Sequence, residues 1–119
     1  MYKVVKIGDA ELPMLSMASV DIYYRQIFHK DAQKIQTDPD FGGIEALNFF
    51  FELGFIMNKR AEGKTRQEMA QLTQEDYIDW LDKLDRAGLY DAAAEIFAVY
   101  NGQNETTSDS KKNGEELTA

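Results

Sequence analysis

Polar and apolar residues alternate over Tyr2–Ile7 and, less regularly, from about Ala10 to Leu15, with Gly8-Asp9 between them. A period of two is that of a strand with one covered face, and glycine at the first turn position suits a tight hairpin. Pro13 has no N–H to give to a ladder, so the second strand is expected to lie at an edge or be irregular. A hairpin alone is marginal in water, so this one must pack on helices or pair with another chain.

Behind Ser19, a good N-cap, the period lengthens. Val20, Tyr23, Tyr24, Ile27 and Phe28 recur at helical spacing and predict an amphipathic helix over about 19–29. Periodicity is lost over Asp31–Gly43, where Thr37-Asp38-Pro39-Asp40 and Gly42-Gly43 read as a loop. The next segment, 44–62, carries one narrow polar stripe of Glu45, Asn48, Glu52 and Lys59. Phe49 and Ile56 border it on one side, and Ile44, Phe51 and Phe55 on the other. A helix apolar on so much of its circumference is central to its domain, or touches a partner as well as its own core. Gly54 within it costs about 1 kcal/mol against alanine, unless it permits a close helix crossing.

A short helix is expected over 66–72 and another over 74–87, started by Thr73 with Asp76 near its positive end. Tyr77, Trp80, Leu81 and Leu84 form the buried stripe of the latter, and Gly88 stands where a C-terminal cap belongs. A last helix over 89–100 turns Leu89, Ala93, Ile96, Phe97 and Tyr100 inward. From Asn101 to Ala119 the only large apolar residue is Leu117, a composition that predicts a flexible polar tail. The expected fold is therefore mainly α: one domain over 1–100, with a β-hairpin over 2–15 and a bundle of four to five helices, then the tail.

Charge narrows the function. Twenty-one acidic residues against 13 basic ones give a formal −8, a field that repels nucleic-acid phosphate and anionic lipid. Without cysteine, thiolate nucleophiles, disulfides and zinc-thiolate sites are excluded. Leu47–Met57, the most apolar stretch, is far short of a membrane span, and the N-terminus lacks the pattern of a signal peptide. Cytoplasmic residence, with no membrane and no nucleic-acid partner, is the expectation.

Candidate catalytic chemistry is thin. His29 is the only histidine, without an HExxH partner, and reads as a helix-end residue near terminal carbonyls. Asp76, Asp79, Asp82 and Asp85 recur every third residue, and Asp31, Asp38 and Asp40 lie near a glycine pair. Such carboxylates can hold cations or move protons, but the loop lacks the calcium-hand pattern, and the ridge lies where solvated charge belongs. Gly42-Gly43 could admit a phosphate, yet no P-loop lysine follows and Asp38, Asp40 and Glu45 would repel it. Neither an enzyme, a metal nor a cofactor is expected; excess apolar helix surface points to a binding protein.

Pro13-Met14, the run Met17–Phe28, Phe55-Ile56-Met57 and Tyr77-x-x-Trp80-Leu81-Asp82 resemble the tail assembly chaperones of long-tailed phages infecting Gram-positive bacteria. The likeness covers nearly the whole chain, the polar tail included. It implies a mainly helical protein that coats the apolar tape measure protein and delivers tail tube subunits, leaving before the tail is complete. It also implies self-association and a longer form made by ribosomal frameshifting. Lys111-Lys112-Asn113 is compatible with the codons AAA AAA AAC, on which a ribosome can slip, and few residues follow it before Ala119. The apolar residues flanking the polar stripe of 44–62, namely Ile44, Phe49, Phe51, Phe55 and Ile56, are the expected contact surface. The alternatives are an acidic DNA mimic or other inhibitor or adaptor of a host protein, and a small hydrolase or metal enzyme using His29. A mimic needs one continuous acidic face, whereas these acids are spread among bases.

Overall fold

A computed structural model describes residues 1–102; the segment 103–119, expected as a loose tail and containing Lys111-Lys112-Asn113, lies outside the described residues. Strands β1 (Tyr2–Ile7) and β2 (Ala10–Leu15) form an antiparallel hairpin, followed by α1 (Val20–Phe28), α2 (Ala32–Thr37), α3 (Gly43–Ala61), α4 (Arg66–Ala70), α5 (Gln74–Asp82) and α6 (Arg86–Tyr100). This is the predicted mainly helical fold with an N-terminal hairpin, enlarged by one helix.

The hairpin turns over Gly8-Asp9, with Ile7 paired to Ala10. Gly8 takes φ +61° while Asp9 stays at negative φ, the pattern that glycine allows at the first position of a two-residue hairpin turn. Val5, Ile7 and Met14 face inward and are buried against the helices. Packing on the helices of its own chain supports the hairpin.

The added helix, α2, lies in the expected loop. Asp31 caps it, accepting from the backbone N–H groups of Gln33 and Lys34 at 2.9 and 3.1 Å. Those two N–H groups, Lys34 first, and the neighbouring Arg25 guanidinium hold the exposed Asp31 carboxyl below its usual range. Capping boxes at Thr65/Glu68 and Thr73/Asp76 start α4 and α5.

The expected division between the last two helices is displaced. α5 ends at Asp82, and α6 begins at Arg86 with Asp85 as its N-cap, accepting from Gly88 N–H at 2.8 Å. Gly88 therefore belongs inside α6 and is not a C-terminal cap. A Cβ there would stand 2.3 Å from the backbone nitrogen of Gly8, so the missing side chain is what lets the hairpin turn rest on the helix.

α3 is the axis of the domain, meeting β2, α1, α5 and α6. At Gly54 a Cβ would lie 3.2 Å from Ile96 and 3.5 Å from Met14, which makes this glycine the close crossing point of α3, α6 and the hairpin. A buried amide locks three elements together. Asn58 donates from Nδ2 to the Pro13 carbonyl at 2.9 Å and accepts from Trp80 Nε1 at 3.0 Å. The predicted stripe of α1 is buried in full: Val20, Tyr23, Tyr24, Ile27 and Phe28.

Candidate functional site

Of the five residues expected to form the contact surface, the fold leaves one open. Ile44 is 75% exposed, whereas Phe49, Phe51, Phe55 and Ile56 are buried in the chain's own core. Phe49 meets Tyr24 and Phe41 edge-on at ring separations of 5.3 and 5.9 Å. Phe55 packs on Tyr77 and Trp80 at 5.5 and 5.6 Å, and Phe51 on Tyr90 at 5.3 Å. The expectation of a spare apolar side along 44–62 is corrected: the helix is apolar nearly all round because neighbours cover it nearly all round.

Its polar stripe obeys the same geometry. Glu45 and Asn48 reach solvent, but Glu52 is only 8% exposed beneath α1. Tyr24 Oη donates to Glu52 Oε1 at 2.7 Å, and Lys30 Nζ stands 3.3 Å from both carboxylate oxygens. The same ammonium lies 5.9 Å from the Tyr24 ring centre. Burial, reinforced by the bond to Glu52, pushes the Tyr24 phenol far above its ordinary pKa and keeps it a donor.

Apolar surface remains at the end of the molecule where α3 begins and α6 finishes. Ile44 is exposed there, and Leu47 and Phe50, the next turns of α3, are half-buried. Phe50 stacks on Phe97 at 4.4 Å, and Phe41 closes on Phe50 at 6.1 Å. On α6, Tyr90, Ala94 and Phe97 follow at helical spacing; the first two are exposed and the third is half-buried. The signal for this surface was in α6 itself, whose fifteen residues include only Arg86, Asp91 and Glu95 as charged groups. The outer face of the hairpin is apolar at its open end, with Tyr2 and Val4 exposed across from the half-buried Leu15 and Pro13, and charged toward the turn at Lys6 and Glu11.

Beside the first turns of α3 lies a cleft of about 370 Å³, walled by Tyr24, Phe41 and Phe49 and rimmed by Asp38, Asp40 and Glu45. Asp38 accepts from Asp40 N–H at 2.8 Å; Asp40 and Glu45 form no ion pair among the described residues. The chain matches no family model, no curated protein and no solved structure.

The other singled-out groups have local duties. His29 is exposed at the C-cap of α1 with φ 59°, its backbone N–H donating to the Arg25 carbonyl at 2.9 Å. Asp76 and Asp85 cap helices, and Asp79 and Asp82 face solvent. Among the described residues no three acidic or histidine side chains gather as metal ligands would, and no helix is long and apolar enough to cross a membrane. What the surface offers chemically is contact: half-buried aromatic rings beside carboxylates.

Proposed function

We propose that this protein is a tail assembly chaperone of a long-tailed bacteriophage, acting by binding and not by catalysis. It binds the tape measure protein in the host cytoplasm, leaves before the virion is complete, and recruits tail tube subunits through a frameshift-extended form. The observation that carries the binding role is the half-open apolar end formed by Ile44, Leu47, Phe50 and Phe97 on a strongly acidic chain. Large apolar residues partly exposed together favour a protein partner. The partner's identity comes from the resemblance of Met17–Phe28, Phe55–Met57 and Tyr77–Asp82 to that chaperone family.

The deciding experiment is co-expression with the tape measure protein encoded in the same phage. The parent chain is expected to co-purify with it and to keep it soluble. Ile44→Glu combined with Ala94→Glu should lose capture and keep the helical circular dichroism, because both positions are exposed. Capture that survives these changes moves the contact to another face. An unmodified chain that captures nothing ends the chaperone reading. Coating also requires several copies, so sedimentation showing a monomer alone, free and bound, removes that part. The bases encoding Lys111-Lys112-Asn113, and the frame one base back, decide the extended form.

A further inference from the structure

We infer that the cleft beside α3 receives one basic side chain, an arginine or a lysine, carried by a helix of the partner that covers the apolar end. The inference rests on the proposed binding role and adds the chemistry of the partner. Three observations bear on it.

First, the walls and the rim ask for different halves of one side chain. Of the lining rings, Tyr24 and Phe49 are buried and the half-buried Phe41 is open to a stem, while Asp38, Asp40 and Glu45 supply negative charge at the mouth. An arginine or lysine has an apolar stem for that ring and a cation for the carboxylates. A purely apolar occupant would strip water from the acids and return nothing, and an anion would be repelled.

Second, the cleft already holds a cation in this way. Lys30 places its ammonium between the Glu52 carboxylate, at 3.3 Å, and the face of Tyr24, 5.9 Å from the ring centre. That site is filled from within the chain. The outer part of the cleft, with Phe41, Asp40 and Glu45, has the same ingredients and no such resident among the described residues.

Third, the cleft and the apolar end are continuous. Phe41 touches Phe49 in the cleft wall at 5.9 Å and Phe50 on the open end at 6.1 Å. Glu45 and Asn48 line the cleft, while Ile44 and Leu47 alternate with them along the same turns of α3. A helix lying over Ile44, Leu47 and Phe50 thus brings a residue from its flank to the rim. Arginine fits best, because a planar guanidinium can lie on Phe41 and pair with a carboxylate together.

Two amphipathic helical peptides, identical except for one arginine or glutamine beside the apolar stripe, provide the test. The arginine peptide should bind about tenfold more tightly, as two partly exposed charge contacts allow. Its amide NMR shifts should centre on residues 38–49. Asp40→Asn with Glu45→Gln should abolish the difference and leave the affinity for the glutamine peptide unchanged. Equal affinities for the parent chain, or a preference that survives the double variant, would overturn the inference. So would a parent dimer that falls apart on the double substitution, since a second copy would then occupy the cleft. The two readings separate cleanly. Tape measure protein captured equally by the double variant removes the cleft and keeps the chaperone role; arginine preference without tape measure capture does the reverse.

Discussion

Gly88→Ala discriminates sharply between ways of placing that residue, because they differ in sign. At an unconstrained position inside a helix, alanine would stabilise by about 1 kcal/mol. The fold requires the opposite. The new Cβ would lie 2.3 Å from Gly8 N and 2.8 Å from Gly8 Cα, where ordinary contact begins near 3.4 Å. Both obstacles are backbone, so no rotamer change relieves them. The turn must retreat by roughly 1 Å, the scale of overpacking that costs about 1–3 kcal/mol. The turn cannot retreat freely, since Gly8 at φ +61° leads directly into Ile7, which is buried against the helices. The cost therefore falls at the upper end. Subtracting the helix-propensity gain leaves a net loss of about 2 kcal/mol, which for a domain of this size lowers Tm by roughly 10 °C. Urea unfolding followed by Trp80 fluorescence and far-ultraviolet circular dichroism measures it. Ala94→Gly, at an exposed position of the same helix, serves as the reference and should lose about 1 kcal/mol. A Gly88→Ala protein as stable as the parent, or more so, refutes the close approach of turn and helix.

Two further outcomes follow from the buried polar groups. Asn58→Ala orphans the Trp80 indole N–H and the Pro13 carbonyl, and should cost about 2–4 kcal/mol in urea unfolding; a loss under about 1 kcal/mol would mean that water replaces the amide. In alkaline titration Tyr24 and Tyr77 ionise far above the ordinary phenol value and Tyr100 is pushed up to about 12, burial being the first cause in each and a hydrogen bond to Asp21 the next for Tyr100. These folded pKa values exceed the unfolded one, so their stabilisation is complete below the unfolded phenol pKa and is lost as pH rises through the folded values. Ultraviolet absorbance should show these phenols ionising late and together with unfolding; early ionisation without loss of helical signal would contradict their burial.

What could be read from the sequence was whatever repeats. The five-residue stripe of α1 and the two strands around Gly8-Asp9 needed only their period, and the structure holds them there. α2 offered just Ala32 and Ile35 as apolar positions in six residues, too few for a period; its sign was the Asp31 cap. Gly88 misled because a glycine near a helix end and a glycine under another backbone look alike along the chain. They are separated only by Gly8, eighty residues earlier, which the fold brings against it. The contact surface failed for a related reason. Periodicity measures how much of a helix is apolar, and on α3 that quantity was right, but it does not count the neighbours that will cover it. Phe49, Phe51, Phe55 and Ile56 went to the core because four elements surround α3. Ile44, at the first turn, lies beyond their reach.

The displacement of the open surface from the middle of α3 to its end changes the kind of binding the domain can perform. A whole helix face would behave like the interior of an obligate complex, large and apolar, and would release its partner slowly. The end of the molecule offers less. Leu47, Phe50 and Phe97 are half-buried and the two rings are already stacked on each other, so covering them gains modest apolar area and costs little side-chain entropy. One such contact is weak. Many copies along one long partner become strong through linked attachment, yet each can still be displaced singly by a competitor for its few residues. The acidic surface would favour the proposed arrangement, because like-charged copies resist non-specific clumping while a basic residue on the proposed partner helix would fix the register. The proposed role, a transient coat, needs weak individual grip and collective hold, and a small aromatic end beside a negatively charged cleft would supply that combination where a broad greasy helix would not.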